Sequence, residues 1–280
     1  MGAFNQIKTA LLLGALTGIL LLIGWLLGGS TGLTFALIFS VLMNFGTYFF
    51  SDKIVLMMYK AKEVTDSNHA LYKVVKEVSG LANLPMPKVY IIPSEQANAF
   101  ATGRNPKHAA VAATEGIMKL LTHDELKGVM AHEMAHVKNR DILISTVAGT
   151  IAGVISYIAT MAQFAAIFGG RDREHSNMLS LLLLAIVTPI IATIIQLAIS
   201  RSREYMADAT GASIVKNPKG LSSALGKLHS DVKKHPMRLG GQATAHMFIA
   251  NPFSGRAMMS LLSTHPPMEE RVKRLDAMKF

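Results

Sequence analysis

In His132-Glu133-Met134-Ala135-His136, two histidines stand four positions apart with a glutamate directly after the first. On a helix, positions 132 and 136 lie on one face, about 6 Å apart along the axis. Two imidazoles so placed can share one divalent ion. That ion would lower the pKa of its water toward ~7 and polarise a carbonyl. Glu133 sits one step round the helix, close enough to take a proton from that water without ligating, and could pass it to a leaving amine. The chemistry is metal-assisted hydrolysis of an amide, and His-Glu-x-x-His is a spacing that serves it.

A catalytic site of this kind takes three protein ligands and keeps one position open. The chain has no cysteine, so the third ligand must be an acid or a histidine, and disulfides are excluded. The best placed candidate is Glu204 in Ser200-Arg-Ser-Arg-Glu-Tyr-Met-Ala-Asp208. Asp208, one turn later on the same helix face, could orient a ligating imidazole as an acceptor. The plainer alternative is a salt bridge from Glu204 to Arg201 or Arg203. His69, His108, His123, His229, His235 and His246 have no partner at ligand spacing and read as surface or core residues.

Half of the residues are hydrophobic and 16% are charged, a balance too apolar for an ordinary soluble chain. Four apolar runs, at roughly 7–27, 33–50, 142–168 and 178–199, approach the ~20 residues of a membrane span. The first has no Ala-x-Ala-like cleavage site and is followed at once by another run, so it reads as retained. The net charge is +10, and Lys53, Lys60, Lys62, Lys138, Arg140, Arg201 and Arg203 cluster beside the runs. No basic stretch with interleaved aromatics points to nucleic acid. The positive-inside rule instead places both hairpins with their open ends in the cytoplasm. Arg171 and Arg173, in the second hairpin's loop, are balanced by Asp172 and Glu174. The hairpin 142–199 then returns Glu204 to the membrane face from which His136 departed. Gln163, Pro189 and Gln196 within the last two runs read as helix–helix hydrogen bonding or a kink, or alternatively as a polar pathway.

Between the hairpins, Asp66-Ser67 looks like an N-cap for an amphipathic helix over 67–82. Residues 88–92 read as a strand, and 98–102 and 109–114 as a hairpin about Gly103-Arg104-Asn105-Pro106. Thr122-His-Asp-Glu125 fits a capping box that starts the helix carrying 132–136, and that helix could continue unbroken into the third run. Further helices are expected over 200–215, from Asn217-Pro218 to about Lys234, and after Pro266-Pro267. The Met-containing stretch 237–268 reads as a loose loop, or as a cover over a cleft.

The paired amino-terminal runs carry a resemblance together with four motifs. These are Asn98-Ala-Phe-Ala-Thr-Gly103, His132-Glu-Met-Ala-His-Val-Lys-Asn-Arg-Asp141, Ser202-Arg-Glu-Tyr-Met-Ala-Asp208, and Thr264-His-Pro-Pro267 with Arg271. Along essentially its whole length the chain resembles the HtpX membrane metalloproteases of bacteria, relatives of the prenyl-protein (CAAX) zinc proteases. The resemblance implies one zinc ion per chain on His132, His136 and Glu204, with Glu133 as base in a gluzincin-type core. It implies that Asn98, Ala99, Phe100, Ala101 and Thr102 are an edge strand that pairs with an extended peptide. It makes His265 the stabiliser of the tetrahedral oxyanion, with Arg271 nearby; by residue alone, a histidine before Pro-Pro is a helix-start residue. Asn139 either supports the site or ends the soluble face.

The expected fold is a mainly α integral membrane protein. Transmembrane hairpins at 1–50 and 142–199 would flank and anchor a cytoplasmic gluzincin-like α+β metallopeptidase domain with a small β-sheet, built from 51–141 and 200–280. The expected activity is that of a zinc endopeptidase in the bacterial inner membrane. It would act on unfolded or misassembled proteins, and the resemblance implies a part in quality control and stress response. The expected partners are those substrates and the lipid bilayer. Two other readings share the motif. A narrow-specificity protease like the prenyl-protein enzymes would need a chamber that four spans are few to enclose. A non-catalytic metal scaffold would have no use for Glu133.

Overall fold

The computed structural model describes residues 2–151, 201–234, 247–249 and 266–280. No charged residue lies between Lys8 and Asp52, and this stretch falls within one long helical element, α1 (Gly2–Met58). The element turns back at Gly28-Gly29, where Gly29 has φ +56° and ψ −138°, a conformation that L side chains resist. Its two arms then run antiparallel in contact. Asn44 Nδ2 donates to Thr17 Oγ1 at 2.8 Å, and a Cβ on Gly24 would stand 2.5 Å from Ala36 Cβ. The arm Gly28–Met58 is long and apolar enough to cross a membrane, and Ile7–Leu22 is a shorter apolar helix. Phe35, Leu42 and Phe45 are exposed along the longer arm.

The sheet has four strands: β1 (Lys62–Glu63), β2 (Lys88–Ile92), β3 (Ala99–Gly103) and β4 (Ala109–Thr114). Their order is β1-β2-β4-β3, with β2 and β4 parallel and the other pairs antiparallel. β3 and β4 form the expected hairpin, and β3 is an edge strand. It begins one residue later than the sequence suggested, because the Asn98 side chain accepts the Ala99 N–H at 3.1 Å.

Helix α2 (Ala70–Ala82) also starts later than expected. Asp66 accepts from Asn68 N–H at 2.8 Å and closes a separate turn. His69 Nδ1 then caps the helix by accepting Leu71 N–H at 3.2 Å. After the short α3 (Glu115–Leu120), α4 (His123–Asn139) opens on the capping box read from the sequence. Thr122 Oγ1 accepts Glu125 N–H, and the Glu125 carboxylate accepts Thr122 N–H at 2.8 Å. α4 does not run on into the next apolar helix. Arg140 adopts a left-handed φ of +58° that ends it, and α5 (Ile142–Ile151) follows as a separate helix. α5 packs Ile144, Val147 and Ile151 against Leu16 of α1. The remainder of the third expected span and all of the fourth, with Gln163, Pro189 and Gln196, lie outside the described residues.

Three helices complete the described fold: α6 (Arg201–Val215), α7 (Pro218–Lys234) and α8 (Met268–Asp276). Val74 and Val78 of α2, Val89 and Val111 of the sheet, Val129 and Met134 of α4, and Leu221 and Leu225 of α7 share one buried cluster. A second cluster joins the end of α1 to the sheet through Val55, Leu56, Tyr59, Ile92, Phe100 and Phe248. α6 crosses α4 so closely that a Cβ on Gly211 would lie 2.8 Å from the His132 nitrogen. That approach carries Glu204, two turns earlier on α6, to the histidine pair.

Candidate active site

His132 and His136 project from one face of α4, as their spacing required, and Glu204 meets them from α6. One ligand atom from each of the three lies within 4.8 Å of the others. The two Nε2 atoms are 3.1 Å apart. His132 Nε2 is 3.8 Å from Glu204 Oε2, and His136 Nε2 is 3.6 Å from Glu204 Oε1. Ligands ~2.1 Å from a tetrahedral ion stand about 3.4 Å apart, so these separations suit a single small cation.

Both rings are held through the nitrogen that points away from this centre. His132 Nδ1 lies 2.9 Å from Asp208 Oδ1, and His136 Nδ1 lies 3.1 Å from Asp141 Oδ2. Each carboxylate is placed to accept a hydrogen bond from Nδ1–H, an arrangement that, in the neutral ring, leaves Nε2 with a lone pair toward the centre. Burial would push the His136 imidazole down, but Asp141, Glu204 and Glu133 outweigh it and carry the group up to about 10. So many carboxylates around two imidazoles call for positive charge, which a divalent ion would supply. The donor set therefore fits a metal on distance, tautomer and charge.

Asp208 is itself anchored. Arg271, fully buried, donates through Nε and Nη2 to its two oxygens at 2.8 and 2.7 Å. Burial pushes the Asp208 carboxyl up, but Arg271 outweighs it and holds the group at about 2. Arg271 also lies 3.7 Å from Glu204 through Nη1. Nη1 and Nη2 of Arg203, offered as an alternative partner for Glu204, are buried without a hydrogen bond among the described residues.

Glu133 is buried beside the pair, and burial raises its carboxyl above the ordinary glutamate value. The Ala101 N–H of β3 donates to it, which ties the edge strand to the site. The expected peptide edge is not bare. Ile249 N–H donates to Ala99 O at 3.1 Å, and Thr146 of α5 accepts from Gly103 N–H at 3.3 Å. Met247, Phe248 and Ile249 line a cavity of about 30 Å³ together with His132, Glu133, His136 and Glu204. That is room for water and not for a peptide.

Asn98 is buried at the head of β3, and Phe100 and Thr102 are buried within it. Asn139 is half-buried, and its Nδ2 has no hydrogen-bond partner among the described residues. His265 lies outside the described residues. Sequence reasoning missed Asp141, whose contact depends on the left-handed turn at Arg140. Within the stretch 237–268, read from the sequence as a loose loop or a cover over a cleft, residues 247–249 line the cavity; the sequence carried no periodicity to single out those three.

Residues 66–279 match the description Peptidase family M48. A protein described as Protease HtpX homolog from Desulforapulum autotrophicum is 54% identical over 276 residues, covering 97% of this chain and 89% of that protein. One of the same description from Thermodesulfovibrio yellowstonii is 56% identical over 278 residues, covering 98% of each. Among solved structures, the crystal structure of S. mikatae Ste24p aligns with a TM-score of 0.51 at 20% identity, over 98% of this chain and 66% of that one; this likeness concerns fold alone. With His132, His136 and Glu204 converging in the geometry of a metal site, and the match running through all three, the chain is a metallopeptidase belonging to Peptidase family M48.

Proposed function

We propose that the chain is a multi-pass inner-membrane zinc endopeptidase with its site on the cytoplasmic side, cutting unfolded or misassembled membrane and cytoplasmic proteins in quality control and stress response. The observation that carries this reading is the convergence of His132, His136 and Glu204, with both imidazoles fixed through Nδ1 and Glu133 beside them.

His132 and His136 through Nε2, and Glu204 through its carboxylate, would hold one zinc ion. Zinc bound there would supply Lewis acidity for a carbonyl oxygen and for water. Asp208 and Asp141 keep the imidazoles in one tautomer and one orientation. Glu133 accepts the proton of the attacking water at its carboxylate and hands it to the leaving nitrogen. The Ala101 N–H aims that carboxylate. A substrate adds as a strand beside Ala99–Gly103, with Asn98 at its head, once Ile249 leaves the Ala99 carbonyl. His265 takes the oxyanion, and Arg271 and Asn139 support the metal-holding shell from behind.

The test uses full-length protein in detergent, stripped with chelator. Zinc added back restores cleavage of an unfolded protein on a gel; no zinc-dependent cleavage of any unfolded or membrane substrate would overturn the endopeptidase. Orientation is read separately, since the chain has no cysteine of its own. In intact cells a membrane-impermeant thiol reagent labels Thr31→Cys and spares Lys219→Cys; the opposite pattern would invert the topology. Asp141→Asn, which keeps size but loses the charge behind His136, lowers zinc affinity about 10–100-fold by competition with a chelator. An unchanged affinity would remove Asp141 from the site.

A further inference from the structure

Where α1 ends against β2 and β4, lined by none of the residues of the catalytic cavity, lies a second cavity of about 480 Å³. Its walls bring together Phe45, Phe49, Phe50 and Lys53 of α1 with Arg104 and Lys107 of the β3–β4 connection. Lys88 and Asp52 also line it, so the wall carries four cations and one carboxylate. Lys88 is paired with Glu63 at 3.2 Å. Lys53, Arg104 and Lys107 have no carboxylate partner among the described residues. Two of them sit on aromatic rings instead. The Arg104 guanidinium lies 5.3 Å from the Phe49 centroid, and Lys53 Nζ lies 5.5 Å from that of Phe50.

The apolar surface leading to this cavity is continuous. Ile38, Leu42, Phe45 and Phe49 follow one another at intervals of four, three and four, so they form one stripe along α1. All four are exposed. Asp52 and Lys53 are the first charged residues after the uncharged stretch that begins beyond Lys8. Aromatic side chains and then cations at the end of an apolar helix are the pattern of a membrane–water boundary. A ligand that fits both parts must be anionic at one end and carry a long apolar tail at the other.

The geometry points to a binding site for one anionic phospholipid, with its phosphate among Lys53, Arg104 and Lys107 and an acyl chain along the Ile38–Phe49 stripe. The hydroxyls of a glycerol headgroup could donate to Asp52, which makes phosphatidylglycerol the probe of choice. Basic pockets beside membrane helices on the cytoplasmic side hold such headgroups. The inference rests on the membrane placement proposed above, but its readout is lipid retention and not cleavage or topology.

Full-length protein is reconstituted in bilayer discs of phosphatidylcholine with phosphatidylglycerol, released gently, and its retained lipid counted by native mass spectrometry. Wild type keeps one phosphatidylglycerol per chain. The triple variant Lys53→Gln, Arg104→Gln, Lys107→Gln loses it. Each basic side chain near an anionic leaflet contributes about fivefold, so retention falls by about a hundredfold. Lys73→Gln, Lys76→Gln, Lys219→Gln removes the same charge from surfaces outside the cavity and retains lipid as wild type does. Phe49→Ala, which leaves every charge in place, also weakens retention. Excess inorganic phosphate leaves the lipid bound, because it gains nothing from the stripe. Equal retention by the two triple variants would overturn the proposal, as would equal retention of phosphatidylcholine. Displacement by phosphate would also overturn it, in favour of a soluble-anion site.

Discussion

Glu133→Gln keeps its zinc and loses peptide hydrolysis by about 10²–10⁴-fold, the usual contribution of a positioned acid–base group. Glutamine preserves the volume of this buried side chain, and its carbonyl oxygen can still accept the Ala101 N–H. It cannot accept the proton of an attacking water. Glu133 is not among the three groups that converge as ligands, so metal content stays at the wild-type level while turnover collapses. Both are measured on one preparation, zinc by elemental analysis and turnover on an unfolded chain. Loss of zinc together with activity would make Glu133 structural. Retention of both would remove it from the reaction.

Arg271→Ala is the largest expected change in stability. The guanidinium is fully buried and satisfies both oxygens of Asp208, while Nη1 donates to Ile249 O at 3.2 Å. Alanine leaves Asp208 charged and buried, with His132 as its remaining partner among the described residues. Breaking a buried pair from one side costs about 3–5 kcal/mol, which thermal unfolding in detergent would register as a large fall in Tm. Arg271→Lys restores the charge but not the two-pronged geometry, so it recovers only part of the loss. The pH dependence carries the same information. Burial alone would raise the Asp208 carboxyl, and Arg271 reverses this to hold it at about 2. The pair's contribution is therefore complete above the unfolded aspartate value of about 3.9 and is lost as pH falls toward the folded value. In Arg271→Ala that acid-sensitive contribution is absent. A variant as stable as wild type would show that Asp208 finds another cation.

The parts legible in the sequence were those written in short-range chemistry. β2 lies between prolines and is β-branched, and β4 follows a turn-rich stretch; both fall where the pattern placed them. The Thr122–Glu125 box is a four-residue signal and is present as read. Glu204 was found by a longer argument, that a hairpin must return the chain to the face it left. Features set by tertiary contact were not legible. Arg140 is left-handed without being glycine or asparagine, so no residue type announced the break that delivers Asp141 to His136. The start of α2 turned on a choice between two polar caps, Asp66 and His69, that local rules rank the other way. Ile249 pairs with Ala99 across 150 positions in sequence, and β1 is only two residues long.

If substrate pairs with β3 as proposed, Ile249 on the Ala99 carbonyl makes the chain its own competitor. A tethered segment acts at an effective concentration of order millimolar, so a dilute peptide in bulk water meets an edge already taken. The apparent affinity for any incoming strand is scaled down by the fraction of time that edge is vacant. A protein confined to the same bilayer is concentrated by that confinement and arrives on comparable terms. Selectivity for neighbours in the membrane would then follow from dimensionality alone, with no recognition pocket for any particular sequence.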